Sequence, residues 1–169
     1  MTKLPDYLLF KSLALASLCG SRSFAGVTSA AYLLSRNPSK TLQCSHLPFK
    51  YLQQPVVANT LAVLAIGELI GDKMPFTPNR TELLSLTGRA AGGAFTSAAL
   101  LKANRGNAVT GLILGGACAL ASTFASFYFR KIITKPGRLS NAAGGLLEDL
   151  LVLAAGAAVI CKFGDGMIK

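Results

Sequence analysis

Five apolar stretches, each close to the length that a helix needs to cross a bilayer, dominate this sequence. A membrane helix requires about 20 mostly apolar residues to cover roughly 30 Å of hydrocarbon. The stretches occupy residues of about 8 to 34, 55 to 72, 83 to 101, 107 to 129 and 145 to 163. Pro, Gly, Asn and basic residues fill the segments between them, as is typical of turns. We therefore predict an all-α transmembrane helix bundle of about five spans, forming one integral membrane domain over residues 1–169.

The composition agrees with a membrane protein, since 51% of the residues are hydrophobic and only 14% are charged. An ordinary soluble domain carries about 25% charged residues. The net charge of +10 does not indicate a nucleic-acid partner, because such modules place their basic residues on a soluble polar surface. The predicted partners are the lipid bilayer and its anionic headgroups, in a bacterial-type inner membrane. The dense basic group from Arg130 to Arg138 favours a cytoplasmic location for that loop and for the N-terminus.

The first stretch has two interpretations. A basic residue near the start, an apolar run as far as Cys19 and small residues after it resemble a secretory signal. We favour one long membrane span, because Lys11 interrupts that run and apolar residues continue to Leu34. Gly and Ser residues surround Arg22 and tolerate an interruption of the helix. The first span is therefore expected to be either one long helix or a helix broken near Gly20 to Ser23.

Ionisable residues within the apolar stretches are the candidate functional residues. A charged side chain at the bilayer centre costs about 2.5 to 3.5 kcal/mol, so each one must be paired, hydrated or functional. Glu68 lies at a depth similar to that of Arg89, which makes an ion pair between them geometrically feasible. The predicted polar intramembrane cluster, a candidate ligand or ion site, consists of Arg22, Glu68, Asp72, Arg89, Glu148 and Asp149.

Each member of this cluster also has a structural interpretation. Glu148 and Asp149 are near the start of the last span, where acidic residues complement the helix macrodipole. The other four residues can form a salt-bridge network that only fixes helix register. Catalytic and metal-binding motifs are missing from the sequence, since the four cysteines lack C-x-x-C spacing and His46 is the single histidine. We predict no cofactor and no metal, and an enzyme is the least favoured class.

Glycines recur at a spacing of four residues on three successive spans. In lipid, small residues allow two helix backbones to approach closely, and a spacing of four places them on one helix face. We therefore predict tightly packed helices, either within one chain or between the copies of a homo-oligomer. The alternative is that glycine is simply more frequent in membrane helices. The three G-x-x-x-G pairs are Gly67 with Gly71, Gly88 with Gly92, and Gly111 with Gly115.

Several of these segments together resemble a known family. They are residues 67–75 (GELIGDKMP), 78–81 (PNRT) and 88–94 (GRAAGGA), together with residues 20–26 around Arg22 and the Glu148-Asp149 pair. This combination resembles a bacterial family of integral membrane proteins classed as a domain of unknown function. Residues 36–54 are outside the resemblance. It implies a small multi-span membrane protein in which these polar residues occur together, and it implies no activity.

Two functions fit these observations. The first is a carrier or channel-like protein for an ion or small solute, in which the charged residues line a cavity. The second is a structural or scaffolding membrane protein, in which the buried charges only fix helix packing. The two differ in whether Glu68, Asp72 and Arg89 face a cavity or only one another.

Overall fold

The computed structural model describes residues 6–45, 48–71, 83–133 and 141–163, and these residues form seven α-helices and one 3-10 turn. The prediction of an all-helical fold is confirmed. The α-helices are α1 (Asp6–Ser21), α2 (Ser23–Arg36), α3 (Lys40–Gln43), α4 (Pro55–Gly71), α5 (Leu83–Ala103), α6 (Ala108–Ile133) and α7 (Asn141–Phe163), and the 3-10 turn is Tyr51–Gln53.

Helices α1 and α2 pack against each other as an antiparallel hairpin with Arg22 at its tip. In one straight helix, Leu15 and Gly26 would be about 16 Å apart along the axis. A Cβ atom on Gly26 would instead collide with the carbonyl oxygen of Leu15 and the sulfur of Cys19. The prediction that residues 8–34 form a single crossing is therefore wrong. The predicted break is present, but it reverses the direction of the chain.

Hydrogen bonds between helices fix their relative directions. Helices α1 and α6 are parallel, because the Leu13 carbonyl accepts from Cys118 Sγ at 3.5 Å and the Gly20 carbonyl accepts from Thr123 Oγ1 at 3.0 Å. Helix α5 is antiparallel to α1, since Arg89, near the start of α5, donates to Gly20 near the end of α1. The hairpin thus lies against both α5 and α6.

The remaining two long helices flank α2. Helix α4 is antiparallel to α2, because its late residue Glu68 binds the start of α2 while Thr28 donates to the Leu61 carbonyl at 3.1 Å. Helix α7 is parallel to α2, with Gly156 beside Ser29. The bundle therefore has a base end, where α1, α4 and α6 begin and α2, α5 and α7 end. The opposite far end contains the ends of α4 and α6 and the starts of α5 and α7.

We expected the N-terminus and the basic group from Arg130 to Arg138 on one side of the membrane. Residues 134–138 of that group lie outside the described residues. Helix α1 begins at the base end, whereas Arg130 is near the end of α6, at the far end. Because the hairpin returns to the base end, the start of α1 and the end of α6 are on opposite sides of the bundle.

The predicted G-x-x-x-G pairs do not act as a set. Among the described residues, a Cβ atom on Gly67, Gly71 or Gly88 would meet nothing within 4 Å, so these positions do not require a glycine for helix packing. A Cβ atom on Gly111 would lie 2.7 Å from the Cα atom of a residue on α5, and one on Gly93 would collide with α6. A Cβ atom on Gly115 would also lie 2.5 Å from the Gly93 carbonyl oxygen. The close approach of α5 and α6 thus depends on Gly111 and Gly115 of the predicted pattern and on Gly93, which lies outside it.

The bundle places large apolar side chains outward and several small polar ones inward. Many Leu, Ile, Val and Phe side chains of α4, α6 and α7 are exposed, while Ser12, Thr96 and Ser97 are completely buried. Two described segments, Ala108–Ile132 and Gly144–Cys161, are long and apolar enough to cross a membrane. Their most apolar windows are only 22% and 24% buried within the bundle.

Candidate functional site at the hairpin tip

Arg22 interrupts the helical backbone between α1 and α2, with an extended conformation of φ −140° and ψ 119°. A helix that ends leaves carbonyl groups without intrahelical partners, and a helix that begins leaves amide groups. Such groups need hydrogen bonds when they are buried. At the tip, the Arg22 amide donates to the Leu18 carbonyl at 2.9 Å and the Ala25 amide donates to the Arg22 carbonyl at 3.2 Å. Side chains from other helices bind further backbone groups on both sides of the break.

Glu68 of α4 caps the start of α2. Its carboxylate oxygens accept hydrogen bonds from the backbone amides of Ser23 and Phe24, at 2.8 and 3.1 Å. Arg22 occupies the N-cap position but makes no side-chain capping bond there. A carboxylate at a helix N-terminus satisfies free amides and complements the positive end of the helix dipole. Glu68 therefore performs, from another helix, the function of an N-cap residue.

Arg89 of α5 binds the opposite side of the break. Its Nη1 donates to the Gly20 carbonyl at 2.8 Å, and Thr123 Oγ1 of α6 donates to the same oxygen at 3.0 Å. The guanidinium is buried, with Arg89 only 3% exposed, and a cation complements the negative C-terminal end of α1. Residue 20 must be small, because a Cβ atom there would collide with Ser122 and with the Ala119 carbonyl.

The side chain of Arg22 itself connects the tip to α7. Its Nη2 forms an ion pair with Oδ1 of Asp149, and the two side chains are only 5% and 8% exposed. The pair joins the hairpin to the helix that is otherwise attached to the bundle by few contacts. The described cluster therefore contains two cations and two carboxylates, each held by a partner of opposite charge or by a helix end.

The structure brings four of the six predicted site residues together at the tip. The expected ion pair between Glu68 and Arg89 is not among the contacts of the described residues, because the two side chains bind opposite sides of the break. Asp72 lies outside the described residues. Glu148 is on α7, and the structure does not describe its side chain. The four residues at the tip are Arg22, Glu68, Arg89 and Asp149.

Thr123 also belongs to the site, although it was not among the predicted site residues. Its hydroxyl lies 2.8 Å from the Ala119 carbonyl of its own helix as well as 3.0 Å from the Gly20 carbonyl. A threonine within an apolar stretch usually bonds its own helix, so its sequence position alone does not indicate a second acceptor. Only the proximity of α1 to α6 reveals that contact.

A cavity of about 270 Å³ opens beside the tip between α2, α4 and α7. Arg22, Glu68 and Asp149 line one part of it, and the other lining residues are small or apolar, such as Val152 and Ile160. Arg89 is not among the lining residues. The volume is slightly below the range of about 300 to 1,000 Å³ that is common for small-molecule sites. Three of the four charged side chains therefore face a cavity as well as their protein partners.

The chemistry available at this site is electrostatic and hydrogen-bonding. Among the residues that the structure describes, no group of three or more His, Cys, Asp or Glu side chains could hold a metal ion. The carboxylates can accept hydrogen bonds from a cationic or polar solute, and the guanidinium of Arg22 can donate to an anionic one. The apolar walls suit a small solute that carries an apolar portion.

Comparison with protein families identifies the chain. Residues 9–161 match DUF4126, a domain of unknown function. The protein belongs to this family. The DUF4126 match spans all four residues of the tip. It also includes residues 36–54, which lie outside the resemblance described above. No match was found among curated proteins or among solved structures.

Proposed function

We propose that this protein is a polytopic integral membrane protein of the bacterial inner membrane. Helices α4, α5, α6 and α7 cross the bilayer, and the α1–α2 hairpin enters from the base end without crossing. The low burial of the two segments that are long and apolar enough to cross a membrane supports this, since such a helix in a soluble protein is mostly buried. Irregular backbone at membrane depth is tolerated where it is enclosed by protein or lines a cavity. The break at Arg22 meets both conditions.

Within this arrangement, we propose that the protein is a small carrier that binds an ion or small solute at the hairpin tip. The observation that supports this most directly is that Arg22, Glu68 and Asp149 line the 270 Å³ cavity. Charges that only fixed helix packing would not need to face open space. Secondary transporters also form substrate sites at interrupted helices, with helix ends directed towards the solute.

Flux measurements on purified protein in vesicles test the carrier proposal. Glu68→Gln changes the charge of a cavity-lining residue and keeps one amide acceptor for the start of α2, so it should reduce flux while the protein still folds. Arg89→Lys is a control within the cluster, because residue 89 does not line the cavity and the substitution keeps the charge. Gly67→Ala is the control on α4, since a Cβ atom there meets nothing within 4 Å. Folded Glu68→Gln protein with unchanged flux of every tested ion and solute would refute the carrier.

One observation favours the scaffolding alternative. The cluster compensates its own charges, with Arg22 paired to Asp149, Glu68 on the α2 amides and Arg89 on the Gly20 carbonyl. If the site is only structural, substitutions of its charged residues should reduce stability in detergent, and the wild-type protein should show no specific flux in vesicles. A charge-swapped Arg22→Asp/Asp149→Arg variant should then recover part of the stability that either single change removes.

The predicted homo-oligomer remains a proposal. In the described chain, a Cβ atom on Gly67 of α4 would meet nothing within 4 Å, so the helix face at this glycine is available for contact with a second copy. Cross-linking between cysteines introduced beside these glycines, in vesicles at low protein density, would test that contact.

A further inference from the structure

A second cavity, of about 430 Å³, lies at the base end, on the side of the bundle opposite the hairpin tip. The turn between α2 and α3 forms one wall, and the turn between α5 and α6 contributes Arg105. Three of the lining residues are cationic, namely Arg36, Lys40 and Arg105, and the others are residues 37–39 and 41. None of the lining residues is acidic. We call this cavity the basic pocket.

Arg105 occupies a backbone position that normally favours glycine. Its φ angle is 59°, in the left-handed region, which disfavours residues with a Cβ atom. The amide of Gly106 donates to the Leu101 carbonyl at 2.7 Å and that of Arg105 donates to the Lys102 carbonyl at 3.1 Å. This is the Schellman pattern, in which the position of Arg105 is usually glycine. An arginine is therefore kept beside the pocket against the local backbone preference, and such positions often occur at functional sites.

Packing holds the other wall of the pocket in place. The Arg36 guanidinium lies over the ring of Tyr32, 4.7 Å from its centroid. The Ser39 amide donates to Gln53 Oε1 and the Ser39 hydroxyl donates to the Ala103 carbonyl, both at 2.6 Å. Because these bonds are buried, the turn between α2 and α3 is fixed to the end of α5. The three cationic residues are therefore carried on a rigid frame.

The charge around the pocket is not balanced by nearby acids in the part of the chain that the structure describes. The two carboxylates whose side chains are described, Glu68 and Asp149, both lie at the hairpin tip. Helix α2 separates the tip from the pocket by 14 residues, or about 21 Å at 1.5 Å per residue. Among the side chains that the structure describes, the basic pocket thus combines three cations with no carboxylate nearby.

We propose that the basic pocket binds the phosphate of an anionic lipid headgroup. Guanidinium groups bind phosphate oxygens through paired, charge-assisted hydrogen bonds, and a lysine adds a third cation. Lipid is favoured as the source because the pocket lies at the helix ends, beside the exposed Tyr32 whose ring contacts Arg36, and exposed tyrosines are typical of a membrane interface. The choice of lipid rests on the proposed membrane insertion but does not depend on the carrier role.

The test uses the full chain, purified in a neutral detergent, with thermal unfolding as the measurement. Added phosphatidylglycerol should raise the unfolding temperature, whereas phosphatidylcholine and inorganic phosphate at the same concentration should have much smaller effects. Arg105→Gly is the decisive variant, since glycine suits the left-handed backbone and should preserve or improve folding without lipid. Its affinity for phosphatidylglycerol should fall about five- to tenfold, the expected loss for one basic contact near a charged surface.

Lys50→Ala is the matched control, because Lys50 is an exposed cation that does not line the pocket. It should retain the wild-type response to phosphatidylglycerol. Equal responses of Arg105→Gly and the wild type would overturn the proposal, and so would an equal loss in Lys50→Ala. If inorganic phosphate raised the unfolding temperature as much as phosphatidylglycerol does, the choice of lipid as the ligand would be overturned. If phosphatidylcholine did so, the selectivity for anionic headgroups would be overturned. Incorporation into vesicles is measured separately, so that a failure of membrane insertion can be distinguished from a failure of the pocket.

Discussion

The buried ion pair between Arg22 and Asp149 yields the most quantitative prediction. Both side chains are less than a tenth exposed, so Asp149→Leu removes a counter-charge from a guanidinium that water hardly reaches. Removal of one partner from a buried pair costs about 3 to 5 kcal/mol, whereas replacement of both by apolar residues is often neutral. We therefore expect each of Asp149→Leu and Arg22→Met to reduce the free energy of unfolding by about 3 kcal/mol or more. The double variant should be close to the wild type.

The assay is equilibrium unfolding in mixed detergent micelles, followed by helical circular dichroism for the wild type, both single variants and the double variant. The four values form a double-mutant cycle. Because each single variant should lose about 3 kcal/mol or more and the double variant almost nothing, the coupling energy should be about 6 kcal/mol or more in magnitude. Leu150→Ala is the control on α7, since Leu150 is exposed beside Asp149 and its truncation should change stability by less than about 1 kcal/mol. Additive losses in the double variant would refute the reasoning, because they would show that the two charges do not depend on each other.

Three further predictions follow from the packing. Glu68→Gln should reduce the free energy of unfolding by about 1 to 2 kcal/mol, because the Ser23 and Phe24 amides then share one neutral oxygen in place of two carboxylate oxygens. No measurable loss would show that the cap is unimportant. Gly93→Ala should destabilise by about 1 to 3 kcal/mol through its collision with α6, whereas Gly67→Ala should be neutral or stabilising, and denaturant titration of both variants compares them. Two variants with a single cysteine each, one keeping Cys44 and one carrying Tyr7→Cys, test the hairpin with a membrane-impermeant maleimide. The reagent should label both cysteines from the same side of sealed vesicles. Labelling from opposite sides would exclude the hairpin.

The sequence predicts which residues form the site but not how they pair. Hydrocarbon strongly penalises a charged side chain, so Arg22, Glu68, Arg89 and Asp149 stand out from their apolar surroundings. Residue spacing along a helix gives approximate depth, and Glu68 and Arg89 do lie at a similar level. It does not give the direction in which each helix faces its neighbours. The pairing therefore depends on rotations of α4, α5 and α7 that only the folded bundle determines.

The reversal of the chain at Arg22 is harder to predict than the break itself. Gly and Ser residues indicate that the helix is interrupted, but a single extended residue is compatible with either a kink or a hairpin. The outcome depends on the contact of Gly26 with Leu15 and Cys19, and on partners for the tip that lie far away in the sequence. The same applies to the glycines: a spacing of four identifies a small helix face, but only the neighbouring helix determines whether that face is in contact.

The capped tip also has a consequence for the order of assembly during synthesis. Its partners Glu68, Arg89 and Asp149 follow their hairpin contacts by 45, 69 and 127 residues along the chain. Uncapped amides and carbonyls cost several kcal/mol each in lipid, so α1 and α2 cannot settle in the hydrocarbon until the helices that follow them have been synthesised. In the proposed membrane setting, the hairpin is therefore translated before its partners but reaches its final position after them, and it stays near the aqueous boundary until α7 has been inserted.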